Sequence, residues 1–447
     1  MAACRKVDDT DATRDARDLA HCHGDADDDA MSSDPKREPL LSPSPADRAS
    51  GASIIQATVS LTKICVGTGV MALPWAFVQG ASFSLPGLAL LVAWNWYTSF
   101  QLLACRAAAG PLPQQRSAYS ALAHAGLGKA GVYVLEGSLL LVLIGVCASM
   151  QIQSAQLLAA VAPFSYTVLV LGGALVVAPL ALQRTLRGIS AIAAAGLLVL
   201  GVGLATVAGA GMMQYGLPPP VAAQLAPPSA ESFSAFFGIA AFSFGTQCTI
   251  LPVQDGMRQP RRAGTALAAS LLVVALLYAC VGVALALIYA HASGGVQPLI
   301  IMNLTPGSAE AFVVEVCSAL VALLSYPLPL MPVMQLLAGL VQTSGEPAAA
   351  DGGAGRDRAL RLALLVGTTA IALAVPDFAR IASVLGCLNI AFSQLLPPLL
   401  HLRLRSLRMA PGARRTAHVA ADAVLVALGG GCLLYFGAAN LAALRLR

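Results

Sequence analysis

Charged residues are scarce in this chain. Asp, Glu, Lys and Arg make up only 11% of its 447 residues, and aromatic residues make up 6%. Soluble globular domains usually carry about 25% charged residues, so this scarcity excludes an ordinary soluble protein. The chain instead has apolar side chains at 57% of its positions and a mean hydropathy of +0.74. This composition predicts an all-α integral membrane protein.

The side chains used in hydrolytic and metal-dependent catalysis do not gather in the apolar stretches. The six histidines lie in the N-terminal tail, in loops or at helix ends, at positions 21, 23, 124, 291, 401 and 418. We therefore expect no Ser/His/Asp or metal-ligand set to converge at mid-depth. The sequence predicts no catalytic residue, no metal site, no cofactor and no enzymatic activity. It also lacks the repeated pore loop or ring of like charges expected of a channel.

Long apolar runs are abundant. A helix that spans a bilayer needs about 20 predominantly apolar residues, and we identify eleven such stretches. They lie at about residues 53–79, 85–107, 132–159, 164–183, 189–211, 233–252, 266–290, 311–340, 360–375, 381–402 and 419–441. We therefore predict eleven transmembrane helices within a single transmembrane domain, residues 51–447.

The positions of the basic residues give an independent test of this topology, because cytoplasmic loops are enriched in lysine and arginine. If residue 1 is cytoplasmic, the predicted inner loops hold sixteen basic residues, whereas the outer loops hold only Arg380, with Arg445 and Arg447 beyond the last span. The net charge of +5 thus indicates membrane topology, and no nucleic acid partner is expected. We predict a multi-pass protein with a cytoplasmic N-terminus.

Residues 1–50 differ from the rest of the chain. They contain twelve acidic and seven basic residues and few large apolar ones. Such a segment buries too little surface to fold alone, so we predict a disordered acidic cytoplasmic tail. The EPLL at Glu38–Leu41 loosely resembles a dileucine sorting signal. The plasma membrane and an endolysosomal or vacuolar membrane both remain open as locations.

Two of the apolar stretches are interrupted near their middle. Gly67, Thr68, Gly69 and Pro74 interrupt the first stretch, and a run from Ser243 to Gln247 interrupts the sixth. Glycine and proline disfavour a helix interior by about 1 and 3 kcal/mol relative to alanine. Paired broken helices in corresponding positions of two halves indicate a transporter binding site. Because the two stretches are five apart, we predict a 5+5 inverted repeat with one peripheral helix.

Several motifs resemble one family. They are GTGVMALPWAF in the first stretch, FSFGTQ and LPVQDGMRQP in the sixth, SYPLPLMPVMQ in the eighth, and VPDFARIASVLGCLNIAFSQLLPPLLHL across the ninth and tenth. Over about residues 53–441 they resemble the amino acid/auxin permease family, part of the amino acid-polyamine-organocation superfamily. The first motif is most similar to proton-coupled amino acid transporters. The resemblance implies the fold of the bacterial leucine transporter and an amino acid substrate.

The interruptions suggest how such a substrate would bind. Amides of a half-helix starting near Gly67–Val70 would face a carboxylate, and carbonyls released at Cys65, Val66, Phe242 and Ser243 would accept from an ammonium. Trp75 and Phe244 would wall or gate the apolar part of the site, although plain packing is an equal alternative. The predicted substrate-binding residues are Cys65, Val66, Gly67, Thr68, Gly69, Phe242, Ser243, Gly245 and Thr246.

Lys63 is the foremost candidate for ion coupling, because a cation inside a spanning helix is costly. Snorkelling to the interface is the alternative. Ser318 and Ser325 in the eighth stretch are further candidates for ion coupling or gating. Glu136 and Glu315 would either relay protons or lie at the interface. A proton is favoured as the coupling ion, with Na⁺ possible.

We therefore predict a secondary active transporter that moves amino acids, small neutral ones foremost, by alternating access. One alternative is a membrane amino acid sensor that signals through its N-terminal tail. Another is a carrier of auxin-like organic acids. Where members of the family usually show tyrosine in a GxCxxY pattern, this chain has Met150 after Gly145 and Cys147, and this departure leaves the preferred side chain open.

Overall fold

The structure is a computed structural model that describes residues 51–109, 117–182, 189–216, 226–343 and 353–445. Over these ranges the chain is built from α-helices, joined by turns and short 3₁₀ segments. The predicted acidic tail, residues 1–50, lies outside the described residues. The protein is therefore all-α in the part that the structure describes, as its composition predicts.

The helices follow the apolar stretches along the chain. The first eight are α1 (Ile54–Cys65), α2 (Leu73–Gly80), α3 (Ser84–Ala109), α4 (Ala118–Val161), α5 (Tyr166–Ala181), α6 (Ile189–Tyr215), α7 (Ala230–Phe242) and α8 (Gln247–Asp255). The remaining seven are α9 (Ala263–Ile288), α10 (Ala309–Ser325), α11 (Pro327–Thr343), α12 (Gly353–Ala374), α13 (Phe378–Ile390), α14 (Leu396–Leu404) and α15 (Ala413–Arg445).

The outside of this bundle is suited to lipid. Among the described residues, eight helical segments are long and apolar enough to cross a membrane by length and composition, and two shorter apolar helices, α1 and α5, accompany them. Large apolar side chains point outward, for example Leu175 at 77% and Met213 at 92% exposure. Exposed apolar surface on this scale marks a membrane protein. The count of eleven spans stays a prediction.

The interruption predicted in the first apolar stretch is present. Ser53 caps α1 through a reciprocal pair of hydrogen bonds with Gln56, and the α-helix ends at Cys65. Val66 is extended, a 3₁₀ segment covers Thr68–Ala72, and α2 then begins at Leu73. Pro74 lies in the first turn of α2, where its missing N–H removes no hydrogen bond.

The second interruption lies beside the first. α7 ends at Phe242, and helical structure resumes as α8 at Gln247. A Cβ added to Gly69 would lie 2.7 Å from the Ser243 hydroxyl and 3.3 Å from the Phe242 ring. The absence of a side chain at Gly69 therefore allows the two interrupted segments to touch.

A second close contact holds α7 against α13. A Cβ on Gly386 would lie 1.7 Å from the Gly238 carbonyl oxygen, and one on Gly238 would lie 2.4 Å from the Ser383 carbonyl oxygen. The two backbones therefore meet with no side chain between them. α13 continues through a π-helical turn, Ala391–Leu395, into α14. Such turns are frequent at functional sites.

Candidate functional site

The two interruptions open onto one cavity of about 450 Å³. Its walls come from α1 and α4, from α6 and α10, and from the two segments on either side of the second interruption. Most of the wall is apolar, with Leu139, Val142, Val146 and Met150 contributed by α4. The polar side chains in the lining are Lys63, Gln153, Ser243, Thr249, Ser318, Ser325 and Asn389. An apolar cavity with a few convergent polar groups is the usual form of a small-molecule site.

Most of the residues predicted from the sequence line this cavity. The predicted substrate-binding residues in the lining are Cys65, Val66, Gly67, Gly69, Phe242, Ser243 and Gly245. The three predicted ion-coupling residues, Lys63, Ser318 and Ser325, also line it. The side chain of Thr68 lies outside what the structure describes. The structure thus brings the predicted residues together, while their binding roles stay predictions.

Free main-chain amides are available at the first interruption. Val70 donates its N–H to the Gly67 carbonyl at 3.2 Å, whereas the amides of Gly67 and Gly69 have no partner among the described residues. A Cβ added to Gly67 would meet nothing within 4 Å, so this residue borders open space. Unpaired amides at the start of a helical segment carry partial positive charge and attract anions.

The carbonyls at the interruptions differ in their surroundings. The Tyr278 hydroxyl lies 2.6 Å from the Cys65 carbonyl oxygen and 3.0 Å from that of Ser243, and its single hydrogen can be donated to either. Two of the four predicted acceptors therefore share one donor, and each keeps acceptor capacity of its own. The carbonyls of Val66 and Phe242 have no donor among the described residues.

Tyr278 belongs to a polar seam between α1 and α9. The Thr58 hydroxyl donates to the Ala266 carbonyl at 3.4 Å. The Thr62 hydroxyl donates to the Ser270 hydroxyl at 3.1 Å. On α9 these partners and Tyr278 recur at multiples of four residues, which places them on one helix face. Sequence reasoning missed Tyr278, although a tyrosine in the middle of the largely apolar stretch 266–290 was a usable signal.

Asn389 completes the second interruption from α13. Its side-chain amide donates to the Ala241 carbonyl at 3.0 Å and to the Phe244 carbonyl at 2.8 Å. The Ala241 carbonyl in the last turn of α7 also accepts from the Phe244 N–H at 3.3 Å, whereas the Phe244 carbonyl, just beyond α7, has only the Asn389 amide as a donor among the described residues. Asn389 was also missed, and it lines the cavity. Its position inside the motif GCLNIAF was the only available signal.

Thr246 does not line the cavity. Its hydroxyl lies 3.1 Å from that of Ser99 on α3. The next residue, Gln247, donates to Asn95 at 2.9 Å and to Thr98 at 3.2 Å. All five side chains are buried. This network ties the start of α8 to α3, so the role of Thr246 in the structure is to anchor the interrupted segment.

Three polar groups of the cavity wall have no partner among the described residues. The Lys63 ammonium, on a partly exposed side chain, makes no ion pair or hydrogen bond within that part of the chain. The Gln153 carbonyl oxygen and the Ser318 hydroxyl are buried and unpaired, although the Gln153 amide lies 3.2 Å from the Met71 sulfur. Buried polar groups without partners are costly, which makes them natural contacts for a ligand.

Three further candidates lie outside the cavity wall. Glu315 is 3% exposed and lies one turn before Ser318 on α10, whereas Glu136 is partly exposed on α4. Trp75 does not wall the cavity and lines a separate pocket instead. Phe244 lines the cavity and packs edge-on against Tyr278, with ring centroids 5.4 Å apart.

One histidine does join a serine and an aspartate. His401 Nδ1 lies 2.9 Å from an Asp422 carboxylate oxygen, to which the Ser406 hydroxyl donates at 2.6 Å. Gln101 donates to the other oxygen at 2.8 Å. The group lies where α14 ends, and its members are at most 4% exposed. The serine is thus enclosed, so the arrangement joins α3, α14 and α15 and does not present a nucleophile.

Comparison with known protein families gives a match over most of the chain. The family model described as "Transmembrane amino acid transporter protein" matches residues 50–441. Vacuolar amino acid transporter 4 of Saccharomyces cerevisiae is 25% identical over 293 residues, which cover 62% of this chain and 39% of that protein. Vesicular inhibitory amino acid transporter of Rattus norvegicus is 32% identical over 182 residues, or 39% of this chain and 34% of that protein.

A shorter match joins the chain to vacuolar amino acid transporter 3 of Schizosaccharomyces pombe, which is 31% identical over 115 residues, 26% of this chain and 17% of that protein. The chain spans well under half the length of the curated relatives that it matches. Among solved structures, a Na⁺-coupled sialic acid symporter has a TM-score of 0.44 at 13% identity, covering 90% of this chain and 96% of that chain. A manganese transporter from Eremococcus coleocola has a TM-score of 0.44 at 14% identity, covering 87% and 86%.

Proposed function

Since the chain belongs to the transmembrane amino acid transporter family, we propose that it is a secondary active transporter that moves amino acids across a membrane by alternating access. The observation that carries this proposal is the shared cavity at two interrupted helices. There, free amides of Gly67 and Gly69 and free carbonyls of Val66 and Phe242 border one space. Main-chain groups of opposite polarity around one cavity suit a solute that carries both charges.

The substrate would bind as a zwitterion. Its carboxylate would accept hydrogen bonds from the amides at Gly67 and Gly69, and its ammonium would donate to the carbonyls of Val66 and Phe242. Its side chain would face Val146 and the other apolar residues of α4, where a charge would be poorly solvated. We therefore propose small neutral amino acids as the preferred substrates.

For the topology we propose eleven spanning helices with a cytoplasmic N-terminus. In this arrangement α1 with α2 forms the first span and α7 with α8 forms the sixth. The first ten spans form a 5+5 inverted repeat, and α15 is the eleventh. Support comes from the helices found in each of the eleven apolar stretches and from the arginine-rich loops on one side. Residues 1–50 form a disordered cytoplasmic tail in this proposal.

Proton coupling is proposed through Lys63. Its ammonium borders the cavity one turn before Gly67 and has no anionic partner among the described residues, which places a free cation beside the proposed solute site. Ser318 and Ser325 on α10 face the same cavity and would hydrogen-bond to the lysine or to a water molecule beside it. The names of the relatives support a vacuolar or endolysosomal membrane as the location.

Reconstitution tests the proposal. The full chain in proteoliposomes should take up small neutral amino acids with saturation, and an inward proton gradient should increase the uptake. A competition screen with unlabelled amino acids at defined pH and Na⁺ concentration would identify the substrate. Equal uptake with and without proton and Na⁺ gradients would contradict active coupling.

Lys63→Met provides a sharper test of coupling. Methionine keeps the length and apolar stem of the side chain but cannot bind a proton. We expect the variant to lose most of the stimulation by the proton gradient while exchange of labelled for unlabelled substrate continues. If Lys63→Met concentrates the substrate as well as the parent chain does, the lysine has no coupling role.

A further inference from the structure

We propose that a second pocket, separate from the central cavity, binds a small zwitterionic solute and thereby restrains the interrupted helices. The pocket has a volume of about 270 Å³ and lies where α2 and α15 end and where α7 and α13 begin. None of the residues lining it lines the central cavity. This inference goes beyond the proposed transport function, because it concerns an additional site.

The pocket offers one charge of each sign. Arg380, in the first turn of α13, pairs with Asp377 through its Nε at 3.1 Å. The two terminal guanidinium nitrogens make no hydrogen bond within the described chain, so they can bind a carboxylate in a bidentate manner. Glu231, in the first turn of α7, is exposed and has no ion pair among the described residues, so it can accept from an ammonium.

Uncharged polar groups line the same pocket. The Trp75 indole N–H and the Gln79 amide on α2 have no hydrogen-bond partner among the described residues, and both side chains line the pocket. On the opposite wall, Asn440 of α15 donates to the Ser234 hydroxyl at 2.9 Å and to its carbonyl at 3.2 Å. That wall is therefore fixed, while the α2 wall still offers unused donors.

The size of the pocket limits the ligand. Pockets for drug-sized molecules usually range from about 300 to 1,000 Å³, so a volume of about 270 Å³ suits a smaller solute. A free amino acid has the required pair of charges and this small size, whereas a peptide or a lipid headgroup with its chains does not. We therefore assign the pocket to a single amino acid.

Occupancy of this pocket has a mechanical consequence. The ligand would touch α2 and α7, the two helices adjoining the interruptions, and at the same time α13 and α15. It would therefore hold α2 and α7 against the other two helices. We expect uptake to decline at solute concentrations high enough to fill the second pocket.

Equilibrium binding to the full chain in lipid nanodiscs tests the inference. The probe is a labelled form of the amino acid that competes most strongly in the uptake screen. We expect two equivalents bound per parent chain and one equivalent for Glu231→Gln or Arg380→Gln, together with loss of inhibition at high concentration in both variants.

Glu310→Gln is the matched control. Ser308 caps α10 and Glu310 lies in its first turn, just as Ser229 caps α7 and Glu231 lies in its first turn. The two glutamates thus have the same relation to a helix N-terminus, but only Glu231 lines the pocket. Two equivalents should remain bound to Glu310→Gln. Equal losses in the two glutamate variants would overturn the proposal, because they would reflect helix ends and not the pocket.

Trp75 gives a second readout that leaves the charges in place. Filling the pocket should change tryptophan fluorescence with the affinity of the weaker site, and Trp75→Phe should abolish that change. Persistence of the change in Trp75→Phe would contradict the assignment. A single equivalent bound by the parent chain with uptake intact would overturn the second pocket alone. The absence of both binding and uptake would overturn the transport proposal as well.

Discussion

At the scale of single residues, two glycines of the motif GTG have different roles. Gly67 borders open space in the cavity, whereas Gly69 packs against Ser243 and Phe242 of the other interruption. Neither glycine has a positive φ, and Gly67 is extended at φ −133°. Backbone conformation therefore does not require glycine at either position: a side chain at Gly69 would lack space, whereas one at Gly67 would enter the cavity.

Alanine substitutions at these two positions should separate the roles. Gly69→Ala forces the Ser243 hydroxyl away from the Ile239 carbonyl that it now bonds at 3.0 Å, and we expect a loss of about 1–3 kcal/mol in stability. Gly67→Ala adds a methyl group to the cavity and should reduce uptake of larger amino acids more than that of small ones. Thermal unfolding in detergent and uptake competition would measure these effects; greater destabilisation by Gly67→Ala would contradict the assignment.

Sequence reasoning reached some of these residues and not others for a physical reason. Glycine and proline disfavour the interior of any helix, and a lysine within a spanning stretch is costly, so Gly67, Gly69 and Lys63 could be identified without a structure. Tyr278, Asn389 and Gln153 matter only because of the face on which each lies. Helices that are apolar on all sides give no periodic signal for orientation.

At the scale of helices, the crossing of α7 and α13 is the tightest contact of the site. Gly238 and Gly386 let the two backbones meet, and small residues are the usual means of close helix packing in membranes. Asn389, one turn after Gly386, then donates to the carbonyls at the end of α7. The crossing thus fixes the position of the second interruption. The sequence predicted that interruption, but not the helix against which it rests.

Gly386→Ala should disrupt this crossing. Its methyl group would lie 1.7 Å from the Gly238 carbonyl oxygen, so the helices would have to separate, and we expect a loss of about 3 kcal/mol or more in stability together with loss of uptake. Gly137→Ala on α4 is the control, because a Cβ there meets nothing within 4 Å. Comparable stability of the two variants in heated detergent extracts would show that the crossing tolerates a side chain.

At the scale of the whole molecule, α15 is joined to the other helices at both of its ends. Near the beginning of α15, Asp422 accepts hydrogen bonds from Gln101 of α3 and from Ser406, which follows α14. Near the end of α15, Asn440 donates to Ser234 of α7. The sequence predicted a peripheral helix, because five plus five spans leave one over. The hydrogen bonds that attach it join residues far apart in the sequence. A single sequence does not indicate which distant residues form such pairs.

Asp422→Asn should weaken the attachment of α15. The amide nitrogen that replaces one carboxylate oxygen would face a donor, and leaving a buried donor without its acceptor costs about 1–3 kcal/mol. Asp255→Asn is the control, since its ion pair with Arg106 is long at 3.8 Å and exposed and should contribute less than about 1 kcal/mol. Thermal unfolding of both variants provides the measurement. Equal stability would show that the Asp422 group does not hold the helix.

The position of the Tyr278 hydroxyl between the two interruptions has a further consequence. A phenol carries a single hydrogen, but one carbonyl from each helix interruption lies within hydrogen-bonding distance of it. At any instant the hydroxyl therefore donates to only one of the two. The hydroxyl can change its acceptor and does not hold the two interruptions together permanently. If the gap between Cys65 and Ser243 widens, the hydroxyl can turn to whichever oxygen stays near. When the two interruptions begin to separate, the Tyr278 hydroxyl therefore keeps an acceptor. A buried hydroxyl without an acceptor would be costly and would oppose the movement.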